Sequence, residues 1–315
     1  MTASRPDPLR FAARHGRWVL VVGLGFGIGA PGLATVLRPF VPHMVVLLLF
    51  LAALRIGPAV FVGAVRALPA TLAMVLALQL ALPLAVIGLA TAAGVANTPT
   101  ILAIAIMTAA PSIVSSPNMV AMLGARPDTA MRLMVSGTAL LPLTVIPVFW
   151  ALPELGALDA VLRAALRLLA LVVVATGVAF ALRRLAWPAM SAVASQRLDG
   201  MSALVLAVFV IGLMPSVGAM LRGDPWQAAY WLAVVFAVNV GLQLVTSRLL
   251  RHRPGRVPVA LISGNRNMAL FLVALPPEVT DPILPFIGCY QIPMFLTPLL
   301  MERLYRPRVR ATPPI

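Results

Sequence analysis

The sequence predicts an all-α polytopic membrane protein of ten transmembrane helices, built as two five-helix repeats of inverted topology. Three observations carry that prediction. Of the 315 residues, 61% are hydrophobic and only 10% charged, with mean hydropathy +0.99, against roughly 25% charged in soluble domains. Apolar stretches of about 20 residues, the length that crosses a hydrocarbon core as a helix, account for nearly all of the chain. Short words then recur in the two halves at offsets near half its length.

The spans read in order as 18–37, 39–55, 69–93, 98–123, 130–151, 164–182, 200–221, 226–247, 258–276 and 283–301. They divide the chain into an N-terminal segment (1–17), a first repeat (18–155), a second repeat (156–305) and a tail (306–315). The basic start followed by an apolar run resembles a signal peptide, but the run is long and lacks a convincing small-x-small cleavage site. It reads as a retained first helix. Within it, "GIGAPG" (Gly27–Gly32) matches G-x-G-x-x-G. Dinucleotide binding needs a preceding strand and an acid about 20 residues on. Neither is present, and small residues allowing close helix packing explain the match better.

The charge is an orientation signal. All 24 basic residues are arginines, and they alternate by loop. One side holds 18: Arg5, Arg10, Arg14, Arg17, Arg55, Arg66, Arg126, Arg183, Arg184, Arg197, Arg248, Arg251, Arg253, Arg256, Arg303, Arg306, Arg308 and Arg310. The other holds four: Arg38, Arg163, Arg167 and Arg222. The positive-inside rule then puts both termini in the cytoplasm, and the net charge of +15 needs no nucleic-acid partner.

The repeat is read from matched words. "PNMVAML" (Pro117–Leu123) echoes "RNMALFL" (Arg266–Leu272), and "LQL" occurs around both Gln79 and Gln243. Pro142 and Pro147 in span 5 match Pro293 and Pro298 in span 10. From Asn118 to Asn267, Gln79 to Gln243 and Pro142 to Pro293 the offsets are 149, 164 and 151. Because five is odd, the second half enters the membrane from the opposite side, a construction typical of secondary transporters.

Spans 4 and 9 hold the candidate site. In "APSIVSSPNMVAML" Pro111 and Pro117 each remove a helix hydrogen bond, with Ser115, Ser116 and Asn118 around the second break at Pro117. "LISGNRNMAL" places Asn265, Arg266 and Asn267 after a break at Gly264. Irregular backbone at membrane depth is tolerated only where it is buried in protein or lines a wet cavity, and broken helix ends present partial charges to ligands. Gln79 and Gln243 are ligands or helix–helix glue. No acid falls within a span, so no proton relay through buried carboxylates has a candidate. The single Cys289 and the scattered His15, His43 and His252 exclude a metal cluster, and no nucleophile–base pair or phosphate loop suggests an enzyme.

At spans 4, 5 and 9 the chain resembles the bile acid:sodium symporter family. The family's ninth-helix pattern, Glu-x-Gly-x-Gln-Asn, matches Ile262 to Asn267, with isoleucine for glutamate and Arg266 for glutamine. Its fourth-helix Ser-Asn pair corresponds to Ser116 and Asn118. Counting from Asp128 of "GARPD", a sodium-ligating serine becomes Arg132 and a threonine becomes Ser136. Gln79, ahead of Pro83-Leu84, resembles the third-helix ligand.

The resemblance implies a five-helix panel, a core with crossed fourth and ninth helices, two sodium sites behind the crossing and organic-anion substrates in front. Here both intramembrane arginines fall where sodium ligands are implied, and a fixed guanidinium can take a cation's place. Alternatively, Arg132 snorkels to the interface, or Arg266 binds a substrate carboxylate or sulfonate. The expectation is an inner-membrane, multi-pass carrier of an organic anion, with no cofactor and with sodium dispensable. Its rivals are a sodium-coupled symporter, an arsenite or auxin-type efflux carrier, and a non-transporting sensor or scaffold.

Overall fold

The computed structural model describes residues 7–155 and 157–305, so the expectations for residues 1–6 and 306–315 lie outside the described residues. The helices are α1 (Pro8–Arg14), α2 (Gly16–Gly29), α3 (Pro31–Leu37), α4 (Val41–Arg66), α5 (Leu68–Leu76), α6 (Leu82–Ala92), α7 (Pro99–Ala109), α8 (Ser116–Met122) and α9 (Asp128–Trp150). After Trp150 come α10 (Leu158–Ala186), α11 (Ala192–Gly223), α12 (Pro225–Leu249), α13 (Arg256–Gly264), α14 (Phe271–Ala274), α15 (Pro277–Thr280), α16 (Leu284–Leu300) and α17 (Glu302–Tyr305). A π-helical turn (Ala77–Ala81) joins α5 to α6.

Among the described residues seven helical stretches are long and apolar enough to cross a membrane. The predicted spans missing from that set are 1, 4 and 9, each of which is interrupted. The outer surface is apolar: Leu162, Leu166, Leu169, Val173, Val174 and Val178 are all exposed on α10. A water-soluble fold rarely leaves such a contiguous face bare, whereas lipid covers it without cost. Exposed tryptophans stand at helix ends, Trp18, Trp150, Trp187 and Trp226, where amphipathic rings sit at headgroup level. This is a multi-pass, all-helical membrane protein.

The boundary between the first two spans differs from the sequence reading. The chain turns at Ala30 (φ −121, ψ 70), not at Arg38, because Pro31 disfavours helical geometry in the residue before it. Arg38 instead lies in a short 3₁₀ turn and pairs with Asp281 at 3.1 Å. The N-terminal segment also contributes structure. Asp7 caps α1 and pairs with Arg197 at 2.7 Å, docking α1 along α11.

α2, α3 and α4 pack on α11, and α4 also packs on α10. A Cβ at Gly27 would collide with the Met214 side chain, so this glycine serves close packing, while Gly29 and Gly32 have open space beside them. The remaining long helices form a second group, with α9 against α5 and the π-turn, and α12 against α13 and α16. The two groups meet along α9–α10 and α11–α16.

Candidate functional site

In the second group two interrupted helices meet at their breaks. α7 ends at Ala109, and Pro111, without an N–H, prevents continuation. The chain resumes as α8 with Pro117 in its first turn, where a missing N–H is harmless. Of the two prolines that read as breaks in the fourth span, Pro111 interrupts the helix and Pro117 opens the next one. α13 ends at Gly264, followed by extended Asn265 (φ −110, ψ 95).

The two breaks run antiparallel, with Ser112 opposite Arg266. Ile113 N–H donates to Asn265 O at 3.3 Å, and Asn267 N–H donates to Pro111 O at 2.8 Å. Each break thus satisfies backbone groups that the other exposes, as membrane depth requires.

Arg266 is the largest fully buried side chain, 1% exposed. Its guanidinium donates to three main-chain carbonyls: Ser263 O at 3.2 Å, Ala110 O at 3.0 Å and Leu78 O at 3.1 Å. Each of these oxygens has lost a helical partner. Asn267 N–H, which would bond Ser263 O in a continuous helix, is spent on Pro111 O. Ala110 caps α7 in extended geometry (φ −65, ψ 151). In the π-turn Leu82 N–H goes to Ala77 O, and Pro83 has none to give, so Leu78 O is left over. No ion pair among the described residues involves Arg266. Charge-assisted bonds to carbonyls and the negative C-terminal ends of α7 and α13 offset its desolvation.

Tyr290 of α16, not singled out from the sequence, completes this cradle. Its oxygen accepts Arg266 N–H at 2.8 Å, and its hydroxyl donates to Gly264 O. Beside it lies a buried amide network. Asn239 donates to Gly264 O and accepts from Gln243 Nε2 at 2.8 Å. Gln243 also reaches the Thr297 hydroxyl at 3.3 Å, and that hydroxyl is 3.1 Å from Asn265 Oδ1. The readable signal was Asn239 and Gln243 at helical spacing i, i+4, with Thr297 just ahead of Pro298 in span 10.

The other predicted residues divide. Asn265 and Ser116 are fully buried, and Ser116 accepts from the Ser112 hydroxyl at 2.7 Å. Asn267 and Ser115 are half-buried. Gln79 is buried on the π-turn and donates to Gly137 O of α9 at 3.2 Å, which ties two helices together. Ser136 is buried away from the breaks' own hydrogen bonds, reaching Thr71 at 3.4 Å and Ala64 O at 3.5 Å. Asn118 is exposed on α8 beside the break. One placement corrects the sequence reading: Arg132 is exposed, so it fills no buried cation position. Arg266 is too deeply enclosed to snorkel, and its observed partners are carbonyls.

In front of the crossing a cavity of about 40 Å³ separates the two groups of helices. Its walls include Leu49 and Ile56 of α4, Val114 of the first break, Met134 of α9, and Val172 and Phe180 of α10. Its polar lining is Thr138 and Thr176. Thr138 donates to Met134 O at 2.8 Å and Thr176 to Val172 O at 2.5 Å. With their protons spent on the helix backbone, neither hydroxyl offers a donor to the cavity in this arrangement.

No protein-family model matches this chain, and no curated protein matches it either.

Proposed function

We propose that the chain is a secondary-active or facilitative transporter that moves an organic anion across the inner membrane by alternating access, with Arg266 in the place of a coupling cation. One observation carries this reading: two interrupted helices meet at membrane depth through the Ser112–Arg266 pairing. Such crossings occur where a carrier binds its substrate and ion between repeats. The related positions of the two halves support ten crossings in an inverted repeat. Gln79 bridges its helix to Gly137 of α9, and Gln243 bridges its helix to Thr297 of α16, the corresponding helices of each half.

Two features support the substrate class. The buried charge of Arg266, with no ion-pair partner among the described residues, makes the crossing electropositive and favours an anion. The apolar cavity beside it suits a hydrophobic body. The arginine distribution supports cytoplasmic termini. Cys289 is buried within α16, outside the two breaks, which speaks against thiol chemistry of the arsenite type.

The test is uptake into proteoliposomes of a panel of labelled aliphatic and aromatic carboxylates and sulfonates. Saturable uptake that Ser112→Val or Asn265→Leu abolishes supports the reading. Binding without transport by any member of the panel would support a sensor instead.

A further inference from the structure

The cavity has room for a few water molecules at about 10–15 Å³ each, so part of its wall must move before an organic solute enters. The α4 side of the wall contains a sharp discontinuity. Within α4, Gly57 adopts φ 76 and ψ 162, a region open to glycine at little cost, and Pro58 follows. In a continuous helix residue 58 would donate its N–H to Leu54 O, but proline has none. Arg183 of α10 supplies the donor instead, at 3.4 Å, and lies against Gly57. Two residues before the break Arg55 pairs with Asp199 of α11. The stem of α4 is therefore fastened to both neighbouring helices at the break itself.

Beyond the break, Pro58–Arg66 is held more lightly. Ala64 packs against Met134 and Val135, and its carbonyl accepts one long bond from Ser136 at 3.5 Å. The segment's inward residue is Phe61, whose ring meets Phe180 of α10 edge-on, with centroids 5.3 Å apart at 64°. Both rings line the cavity and both are half-buried, so they form its rim on this side. Their neighbours Arg55, Arg66, Arg183 and Arg184 place this rim at the arginine-rich end of the helices.

We propose that Pro58–Arg66 is a hinged gate. Rotation about Gly57 parts Phe61 from Phe180 and opens the cavity to the arginine-rich face, while Arg183 on Leu54 O keeps the stem fixed as the base of the hinge. The device draws its purpose from the transport reading, but its test needs no substrate.

A reporter cysteine at Thr138→Cys, in a Cys289→Ser background, is labelled with a small anionic methanethiosulfonate from the arginine-rich face of oriented vesicles. Labelling is slow in this parent. Phe61→Ala and Phe180→Ala each open the same passage from opposite sides, and each accelerates labelling by roughly tenfold or more, in proportion to the open population. Either variant that folds suffices for the test. Rates within about twofold of the parent in the folded variants, or faster labelling only from the opposite face, overturn the gate. Faster labelling in a protein that transports nothing leaves the gate standing and removes the transport reading.

Discussion

Arg266 Nη2 and the carbonyl oxygen of Leu78 lie 3.1 Å apart across 188 residues of sequence. The contact couples two local defects. Pro83 strips a carbonyl of its helical donor in one helix, and the break after Gly264 lets an arginine reach it from another. Neither helix is satisfied alone, so the two halves of the molecule are interlocked at this point.

Arg266→Met removes the cation but keeps much of the volume. Three carbonyls lose their partner, and each unsatisfied buried acceptor costs about 1–3 kcal/mol. A loss of roughly 3 kcal/mol or more in detergent-solubilised stability is expected. Guanidinium at millimolar concentration should recover part of the loss in Arg266→Ala more than equimolar sodium does. Equal recovery by both salts would mean that the carbonyls do not recognise the guanidinium shape.

Tyr290→Phe deletes one hydroxyl and orphans Arg266 N–H, whereas Gly264 O keeps Asn239. The cost should be about 1–3 kcal/mol, measured by thermal unfolding, with little change in overall packing. A variant as stable as the parent would contradict the observed hydrogen bond.

Two glycines separate rigid from yielding contacts. A Cβ at Gly264 would collide with the Asn239 carbonyl, which belongs to the backbone of α12, while one at Gly137 would meet the end of the Gln79 side chain. Gly264→Ala should therefore lose folded protein, at the upper end of the roughly 1–3 kcal/mol typical of overpacking. Gly137→Ala should cost less, and Gln79→Ala should relieve most of its cost. The readout is monodisperse yield and midpoint in each single and double variant.

Arg132→Gln tests the placement of the second intramembrane arginine. Because Arg132 is exposed, its removal should change stability by no more than about 0.5 kcal/mol. A loss comparable to that of Arg266→Met would relocate Arg132 to a buried site.

Much of this architecture was legible because lipid imposes strong rules on sequence. Apolar runs of membrane length, prolines inside them and a polar cluster at Asn265–Arg266 leave few alternatives. The break at Gly264 could be read from the polar cluster that follows it within an apolar run. The direction of Arg132 could not, since a residue one turn from a helix end can face either way without altering the hydrophobic pattern. In the fourth span both Pro111 and Pro117 read as breaks, because the pattern does not distinguish them, and only Pro111, which interrupts an existing helix, breaks it. The partners of Arg266 were invisible for another reason: they are main-chain carbonyls, and nothing in the identities of Leu78, Ala110 or Ser263 announces a free oxygen.

The last prediction concerns sodium. The three carbonyls around Arg266 would suit a hard cation by type, since such ions take oxygen ligands. They are already engaged by a guanidinium, and no carboxylate accompanies them, Ile262 being the nearest match to the expected glutamate. A sodium ion within about 4 Å of that charge would meet roughly 4 kcal/mol of repulsion at an effective dielectric near 20, about a thousandfold in affinity at 1.4 kcal/mol per tenfold. An ion that binds only the folded state raises stability by about 2.7 kcal/mol at a hundred times its dissociation constant. Replacing sodium chloride by choline chloride at constant ionic strength should therefore leave the unfolding midpoint unchanged. In Arg266→Gln the carbonyls are released, and a sodium-specific increase in midpoint should appear. Sodium-specific stabilisation of the parent chain would show that an ion is held elsewhere, and the substitution of Arg266 for a coupling cation would have to be abandoned.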